Sequence, residues 1–463
     1  MFIKIKNLGV IKQAEFTLGD LTVICGANNT GKTYATYALY GFLSFWREMF
    51  SIEIPDPVIG QLLSGGTVRL DLADYIRRTV EILGQACASY SKELPMVFAA
   101  PAERFRDSEF RAALVPGEAR PLESYSRRFG TANAEFFDIS KPEDSDELNI
   151  SLLVDRDSVK FPRHVIAAII GSAIKDAAFG AAFPRPFIAS AERTGAAIFR
   201  KELNFARNRL LEEISQGDKN LNPIELLTKV YQDYALPVKV NVDFTRQLET
   251  HAKQTSVIQQ QHPEVLERFG DIIGGRYSVT RNDELHFVPA RTRVNLSMDE
   301  SSSAVRSLLD IGFYLRHIAK PGDLLMVDEP ELNLHPENQR RVARLFSRLI
   351  RLGVKVFITT HSDYIIKELN TLIMLNGDRP HLKRIASANG YEPEELLDSS
   401  RVKVFIAEEA MVLLEGNNRK TRCQTLTEAD INPQLGIEVR SFDATINEMN
   451  RIQDDIVWGG GAE

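Results

Sequence analysis

Gly26-Ala27-Asn28-Asn29-Thr30-Gly31-Lys32-Thr33 matches G-x-x-x-x-G-K-[ST] at every fixed position, and it constrains the chain more tightly than any other feature. Such a segment is informative only between a strand and a helix. Leu21 to Cys25 is a short apolar run of the buried-strand kind, and Tyr34 to Phe45 reads as a helix. Gly26 and Gly31 permit a tight backbone arc through Ala27, Asn28, Asn29 and Thr30 whose N–H groups converge on phosphate oxygens. The following helix points its positive end at the same anion. Lys32 is placed to reach terminal phosphates, and the Thr33 hydroxyl to ligate Mg2+.

Far downstream, Asp323-Leu324-Leu325-Met326-Val327-Asp328-Glu329-Pro330 is an apolar strand ending in two adjacent carboxylates. In a phosphate-loop fold an Asp at such a strand end holds the Mg2+, directly or through water, which gives Asp328 to the metal. The carboxylate beside it can orient and polarise the attacking water, so Glu329 is the candidate general base. Alone, the pair would pass for a solvated turn; beside a complete phosphate loop it marks a site. Val354 to Thr360 is another apolar, β-branched strand, ending in Thr359-Thr360-His361-Ser362. A lone His is usually structural, but His361 follows a strand that would neighbour the acidic one and can reach a γ-phosphate. Upstream, Ser301-Ser302-Ser303-Ala304-Val305 precedes an amphipathic helix, roughly Val305 to Ile318, and the plain reading of the serines is an N-cap.

Phosphate loop, serines before a helix, Asp-Glu-Pro-Glu-Leu-Asn-Leu-His-Pro from Asp328 to Pro336, and Thr359 to Ser362 together resemble an ATP-binding-cassette ATPase. The variety is that of SMC, RecF and overcoming-lysogenization-defect proteins, not transporters, and the resemblance covers residues 1–40 and 295–375. It implies an α/β fold, a P-loop ABC-ATPase head with a mixed sheet, interrupted by a compact, mainly helical insertion. It also implies ATP and Mg2+ as cofactors, with ATP sandwiched between two heads, so that the chain is at least a dimer and a homo-oligomer of unspecified size. Ser301, Ser302 and Ser303 would then act in trans as the signature, without the glycine pair of transporters. Glu331 to His335 would run along the dimer interface, and His361 would be the switch histidine. Gln61 is a candidate for the family's lid glutamine, though nothing local distinguishes it from a loop residue.

With 463 residues there is material for about three domains. The sequence divides into an N-terminal lobe of the head (1–90), an insertion (91–290), a C-terminal lobe (291–380) and a C-terminal α/β extension (381–463). Within the insertion Val80 to Lys92 and Asp107 to Leu114 read as helices, and Val115 to Asp146 as a loop region. Leu148 to Val154 and Phe187 to Ser190 read as strands, and Ala196 to Ser215 and Pro263 to Phe269 as helices. Arg276 to Thr280 and Glu284 to Pro289 read as a hairpin. Pro223, Pro237 and Pro263 interrupt the helices and no long heptad run appears, which excludes SMC-type coiled-coil arms. Arg193, after the Phe187 strand, faces a phosphate, a partner or a surface salt bridge. Val402 to Ile406 reads as a strand and Ala444 to Ile456 as a helix, while Gly459 to Gly461 reads as a frayed end. Val412-Leu413-Leu414-Glu415-Gly416 resembles the opening of a TOPRIM nuclease, but the clustered carboxylates that centre needs are lacking.

The net charge of −7 disfavours a globally basic nucleic-acid binder. Arg341, Arg344, Arg348 and Arg351 nevertheless fall near one helix face, a stripe able to bind DNA phosphates or an acidic partner if it is not simply solvated. Cys25, Cys87 and Cys423 are scattered and odd in number, which excludes a disulfide framework and fits a reducing cytoplasm. The most apolar stretch, His164 to Phe183, carries Lys175 and Asp176, so no membrane span is expected. Stand-alone chains of this size and motif set resemble the ATPase subunits of bacterial anti-phage systems such as PARIS (AriA) and Septu (PtuA). That resemblance implies ATP-dependent oligomerisation that senses a trigger and holds or releases a separate effector, a nuclease or toxin. The rival readings are a RecF/SMC-like DNA-binding ATPase of DNA repair and a non-catalytic scaffold.

Overall fold

A computed structural model of the chain describes residues 1–115, 117–131, 134–154, 162–198, 234–280, 284–438 and 448–455. An antiparallel hairpin, β1 (Phe2–Leu8) and β2 (Ile11–Thr17), precedes β3 (Leu21–Cys25) and the helix Lys32–Met49. Next come β4 (Thr67–Asp71), the helix Thr79–Phe98, β5 (Glu109–Ala113), β6 (Tyr125–Thr131), β7 (Ala134–Lys141) and β8 (Glu147–Leu152). The helix Arg163–Phe179 leads to β9 (Arg185–Ala189), and the helices Leu236–Arg246 and Pro263–Ile273 lead to β10 (Gly275–Val279), β11 (Leu285–Pro289) and β12 (Leu296–Ser297). The remainder is β13 (Asp323–Asp328), the helix Pro336–Arg351, β14 (Lys355–Thr360), the helix Asp363–Leu375, β15 (Val402–Leu413) and β16 (Lys420–Glu428).

The central sheet runs β16-β15-β3-β14-β13-β9. Its last five strands are parallel and β16 is antiparallel to β15, so the sheet is mixed, as expected of an α/β head. Strands covered on both faces should be continuously apolar, and every residue of β3 and β13 is buried. Alternate side chains feed two cores. Ile24, Met326, Phe357 and Phe405 pack with the helix Lys32–Met49 and with β1 and β2. Val23, Val327, Ile358 and Val404 pack with the helices Pro336–Arg351 and Asp363–Leu375. The register aligns Asp328 with Thr359, and Thr360 with Cys25, so the C-terminal ends of β13, β14 and β3 lie side by side. That edge is where open α/β sheets place their ligands.

Several local expectations change. Asp107 to Leu114 is not a helix: Glu109–Ala113 forms β5, pairing antiparallel with β1, because only Phe110 of its side chains is fully buried and the pattern has period two. Val115 to Asp146 is not all loop. β6 and β7 pair there and join β8 and β4 in a four-stranded antiparallel sheet, held by long-range contacts that local composition does not report. The helix expected over Val305 to Ile318 is two helices, Ser303–Ser307 and Leu309–His317, broken at Leu308. The break falls where side chains claim the helix carbonyls: Tyr277 donates to the Val305 oxygen, and Arg193 Nε to that of Ser307 at 2.7 Å. β15 is no appendage, since it pairs in parallel with β3. The strands over Leu148, Phe187 and Val402, the helices over Val80 and Pro263, and the hairpin β10–β11 all form. Residues 448–455 are helical, whereas 199–215, Pro223, 444–447 and Gly459 to Gly461 lie outside the described residues. Among the described residues no helix is long and apolar enough to cross a membrane.

Candidate active site

The segment Gly26–Thr33 leaves β3 and enters the helix Lys32–Met49 in the backbone arc the sequence requires. Gly26 has φ 141°, and a Cβ there would sit 2.5 Å from the Ala407 carbonyl oxygen of β15. Gly31 has φ 96°, and a Cβ there would meet Ile11 Cγ1 at 2.6 Å. Both positions therefore demand glycine. The Lys32 ammonium is turned back on the loop, donating to the carbonyls of Gly26 (2.9 Å) and Ala27 (2.8 Å). Burial pulls its pKa below the ordinary value, against the raising fields of Glu329, Asp328 and Glu331. Thr30 Oγ1 closes the arc on the Ala27 carbonyl at 2.8 Å, and Ala27, Asn28 and Asn29 are exposed.

Asp328 ends β13 with 1% of its surface exposed. Burial pushes its pKa up to about 6, a hydrogen bond from Thr359 Oγ1 pulls it down, and the neighbouring Glu329 and Glu192 push it up again. Thr33 Oγ1 stands 3.5 Å from Asp328 Oδ2. A hydroxyl beside a carboxylate is the hard-oxygen pair that suits Mg2+, so these residues fit that ion. Among the described residues no group of three or more His, Cys, Asp and Glu gathers into a metal cluster. Such an ion would therefore take its other ligands from phosphate and water.

Glu329 has φ 51°, the left-handed region, which a residue with a Cβ adopts only under constraint. Its amide donates to the Thr359 carbonyl at 3.0 Å and its carbonyl accepts from Arg193 Nη2 at 2.8 Å. His361 Nδ1 lies 3.6 Å from Glu329 Oε1 and 3.2 Å from Glu331 Oε1. Glu331 is held in turn by Thr360 Oγ1 (2.9 Å) and the His361 amide (2.8 Å), and its second oxygen is buried with no hydrogen-bond partner among the described residues. The structure thus brings together Lys32, Thr33, Asp328, Glu329 and His361.

Sequence reasoning missed the side-chain roles of Glu331, Tyr37 and Glu192 in this group and misplaced Arg193. Glu331 falls in the expected interface loop, yet its side chain turns inward to the Thr360 hydroxyl and the His361 amide. Tyr37 donates to Glu192 Oε2 at 3.1 Å, and both lie close enough to Asp328 to act on it or be acted on by it. Arg193 is not in a surface salt bridge: it is buried, and among the described residues its hydrogen bonds go to the main-chain carbonyls of Ser190, Ser307, Asp328 and Glu329. Its only sequence signal was its position after a strand.

The serines are not part of this cluster. Ser302 and Ser303 are exposed, and Ser302 caps the helix Ser303–Ser307 by accepting from the Val305 amide at 3.3 Å. Ser301 is buried, its hydroxyl donating to the Ser297 carbonyl at 2.7 Å. Gln61 lies on the exposed side of the helix Asp56–Gly65.

A family model described as "AAA domain, putative AbiEii toxin, Type IV TA system" matches residues 21–367. The chain belongs to that family. The matched span of this AAA-domain protein contains the phosphate loop, the serines, the Asp328–Glu329 pair and His361. The cell division ATP-binding protein FtsE of Mycobacterium tuberculosis (strain ATCC 25618 / H37Rv) is 29% identical over 149 residues, 31% of this chain and 54% of FtsE. The chain thus spans about half the length of the curated relative it matches. The Pyrococcus furiosus Smc head domain bound to the C-terminal domain of ScpA aligns over 98% of both chains, at 13% identity and TM-score 0.31. The SMC head domain of Thermotoga maritima aligns over 93% of this chain and 98% of its own, at 10% identity and TM-score 0.31. Likenesses at such TM-scores carry no argument.

The arginine face of the AAA-domain protein is spoken for. Arg344 meets Glu368 at 2.5 Å, Arg348 meets Glu395 at 3.0 Å and Glu392 at 2.5 Å, Arg341 meets Glu337 at 3.5 Å, and Arg351 donates to the Pro393 carbonyl at 2.6 Å. Arg344 and Arg348 belong to an ion network between the helix Pro336–Arg351 and its neighbours, whereas Arg341 and Arg351 remain exposed. Glu415, of the nuclease-like pentapeptide, pairs with Lys4, Lys6 and Arg111.

Proposed function

We propose that this AAA-domain protein binds ATP on Gly26–Thr33 and hydrolyses it with Asp328 and Glu329, in a site completed by the serines of a second copy. The observation that carries this reading is the convergence of Lys32, Thr33, Asp328, Glu329 and His361 at the aligned ends of β3, β13 and β14. Lys32 exchanges its two loop carbonyls for phosphate oxygens, a swap of one set of acceptors for another. Thr33 and Asp328 would hold Mg2+, which when bound neutralises charge on the phosphates. Glu329 orients water and accepts its proton, and His361, steadied by Glu331, donates toward the γ-phosphate. Phosphoryl transfer needs mainly positioning and charge stabilisation, so a site split between subunits makes hydrolysis report on assembly.

The biological role that fits best is an ATPase subunit of a bacterial anti-phage system, cytoplasmic, that uses ATP-dependent oligomerisation to hold or release a separate nuclease or toxin. The toxin–antitoxin wording of its family supports that choice, and the paired arginines leave the DNA-repair alternative without an observation of its own. Glu329→Gln tests the reading. Turnover should fall by about 10²–10³-fold while ATP-dependent self-association persists, and protection against phage should be lost. Unchanged turnover or unchanged protection in that variant would refute the mechanism or the role, respectively.

A further inference from the structure

Arg193 is among the largest fully buried side chains of the protein. Buried guanidinium groups ordinarily meet carboxylates. Here the fork donates to the carbonyls of Ser307 (2.7 Å, from Nε), Ser190 (2.8 Å) and Asp328 (2.6 Å) (both from Nη1), and Glu329 (2.8 Å, from Nη2). These carbonyls come from three places: the residue after β9, the last residue of the short helix Ser303–Ser307, and the acidic pair at the end of β13. The acids Asp328, Asp310, Glu331 and Glu329 act on Arg193 through their fields. The β9 end is itself anchored, because Asn241 accepts from the Ser190 amide at 2.7 Å and donates to the Ile188 carbonyl at 2.5 Å. A planar donor fork has fixed angles, so the carbonyls it grips move together or not at all.

We propose that Arg193 is a positioning residue that couples the serine segment to the hydrolytic pair of the same chain. When Ser302 and Ser303 engage the nucleotide of a neighbouring copy, any shift of the helix Ser303–Ser307 passes through the guanidinium to the backbone of Asp328 and Glu329. Glu329 is the sensitive point, since its left-handed backbone is held on one side by Thr359 and on the other by Arg193. Each copy would then hydrolyse its own ATP in response to gripping its neighbour's. This inference rests on the composite-site reading given above.

The test uses the full chain carrying Arg193→Lys or Arg193→Met, alone and combined with Ser302→Ala. Binding is read with a fluorescent ATP analogue, assembly by size-exclusion chromatography with ATP, and kcat and KM by phosphate release. Arg193→Met should lower kcat by about 10-fold or more, the scale of a small misplacement at a reacting centre. Analogue affinity and KM should stay within about threefold, and Arg193→Lys should recover part of kcat. Ser302→Ala should slow the wild type yet cost little further in Arg193→Lys, because the link it works through is already loosened. If kcat and melting temperature fall while KM rises in parallel in both arginine variants, or if the serine and arginine effects multiply independently, the coupling is refuted and the composite site stands. If the wild type neither assembles nor turns over with ATP, both readings fall together.

Discussion

Asp310 gives the most direct quantitative check on the electrostatics of the interior. It lies at the start of the helix Leu309–His317 and is 1% exposed. One oxygen accepts from Thr245 Oγ1 at 3.2 Å; the other is buried with no hydrogen-bond partner among the described residues. Burial pushes its pKa from 3.8 up to about 7, against the Thr245 hydrogen bond and the Arg193 charge. A carboxyl that holds its proton more tightly when folded makes stability fall as pH rises from about 4 to about 7, and leaves it level above that. The difference between about 7 and 3.8, at about 1.4 kcal/mol per pH unit, puts the full cost of ionising Asp310 at about 4 kcal/mol at pH 8. At pH 5 the folded protein keeps the proton and the cost is only about 2 kcal/mol. Asp310→Asn abolishes this titration while keeping an acceptor for Thr245. The fixed cost of its amide is the same at both pH values and cancels in the comparison. Urea unfolding of nucleotide-free protein at pH 5 and pH 8 should therefore show the variant gaining about 2–3 kcal/mol on the wild type between them. A gap that stays constant, or that narrows as pH rises, would show that Asp310 is not buried in charged form near neutrality.

Two further outcomes follow from specific contacts. Gly26→Ala drives a methyl group into the Ala407 carbonyl, a main-chain atom of the central sheet that cannot step aside. ATP affinity should drop by about 10-fold or more in a fluorescent-analogue titration, and an unchanged affinity would mean that the loop is not clamped against β15. Arg348→Ala removes the nearer cation from Glu395, which is buried and keeps only Arg344 at 4.0 Å, and leaves Glu392 with Arg268 alone among the described residues. Unfolding free energy should fall by about 3 kcal/mol with no change in DNA retention at low salt, whereas intact stability with lost DNA retention would restore the surface-stripe reading.

What could be read from the chain, and what could not, divides by the range of the forces involved. The phosphate loop and the apolar strands before Asp328 and His361 are local patterns, and the register of β3, β13 and β14 brings them to one edge. β5 resembles a helix because its five residues bury little, and its partner β1 lies about a hundred residues away. β6 and β7 are polar on their outer face, so composition reads as loop what pairing with β8 makes a sheet. The arginine stripe was visible but its acids were not, since Glu368, Glu392 and Glu395 arrive from later elements. Arg193 and Glu331 act on backbone and histidine atoms brought close only by the tertiary fold, and nothing in their immediate neighbourhood announces it.

The back wall of the phosphate loop has a consequence for how the protein is made. Gly26 emerges early in synthesis but Ala407 emerges near the end, and the sheet that holds both takes β9, β13 and β14 from the chain made in between. A nascent polypeptide halted between the loop and β15 carries Gly26 and Gly31 and still lacks the surface that shapes them. On the proposed reading, most of the molecule must be made before the loop takes its nucleotide-binding shape, so prematurely terminated fragments would be blind to ATP.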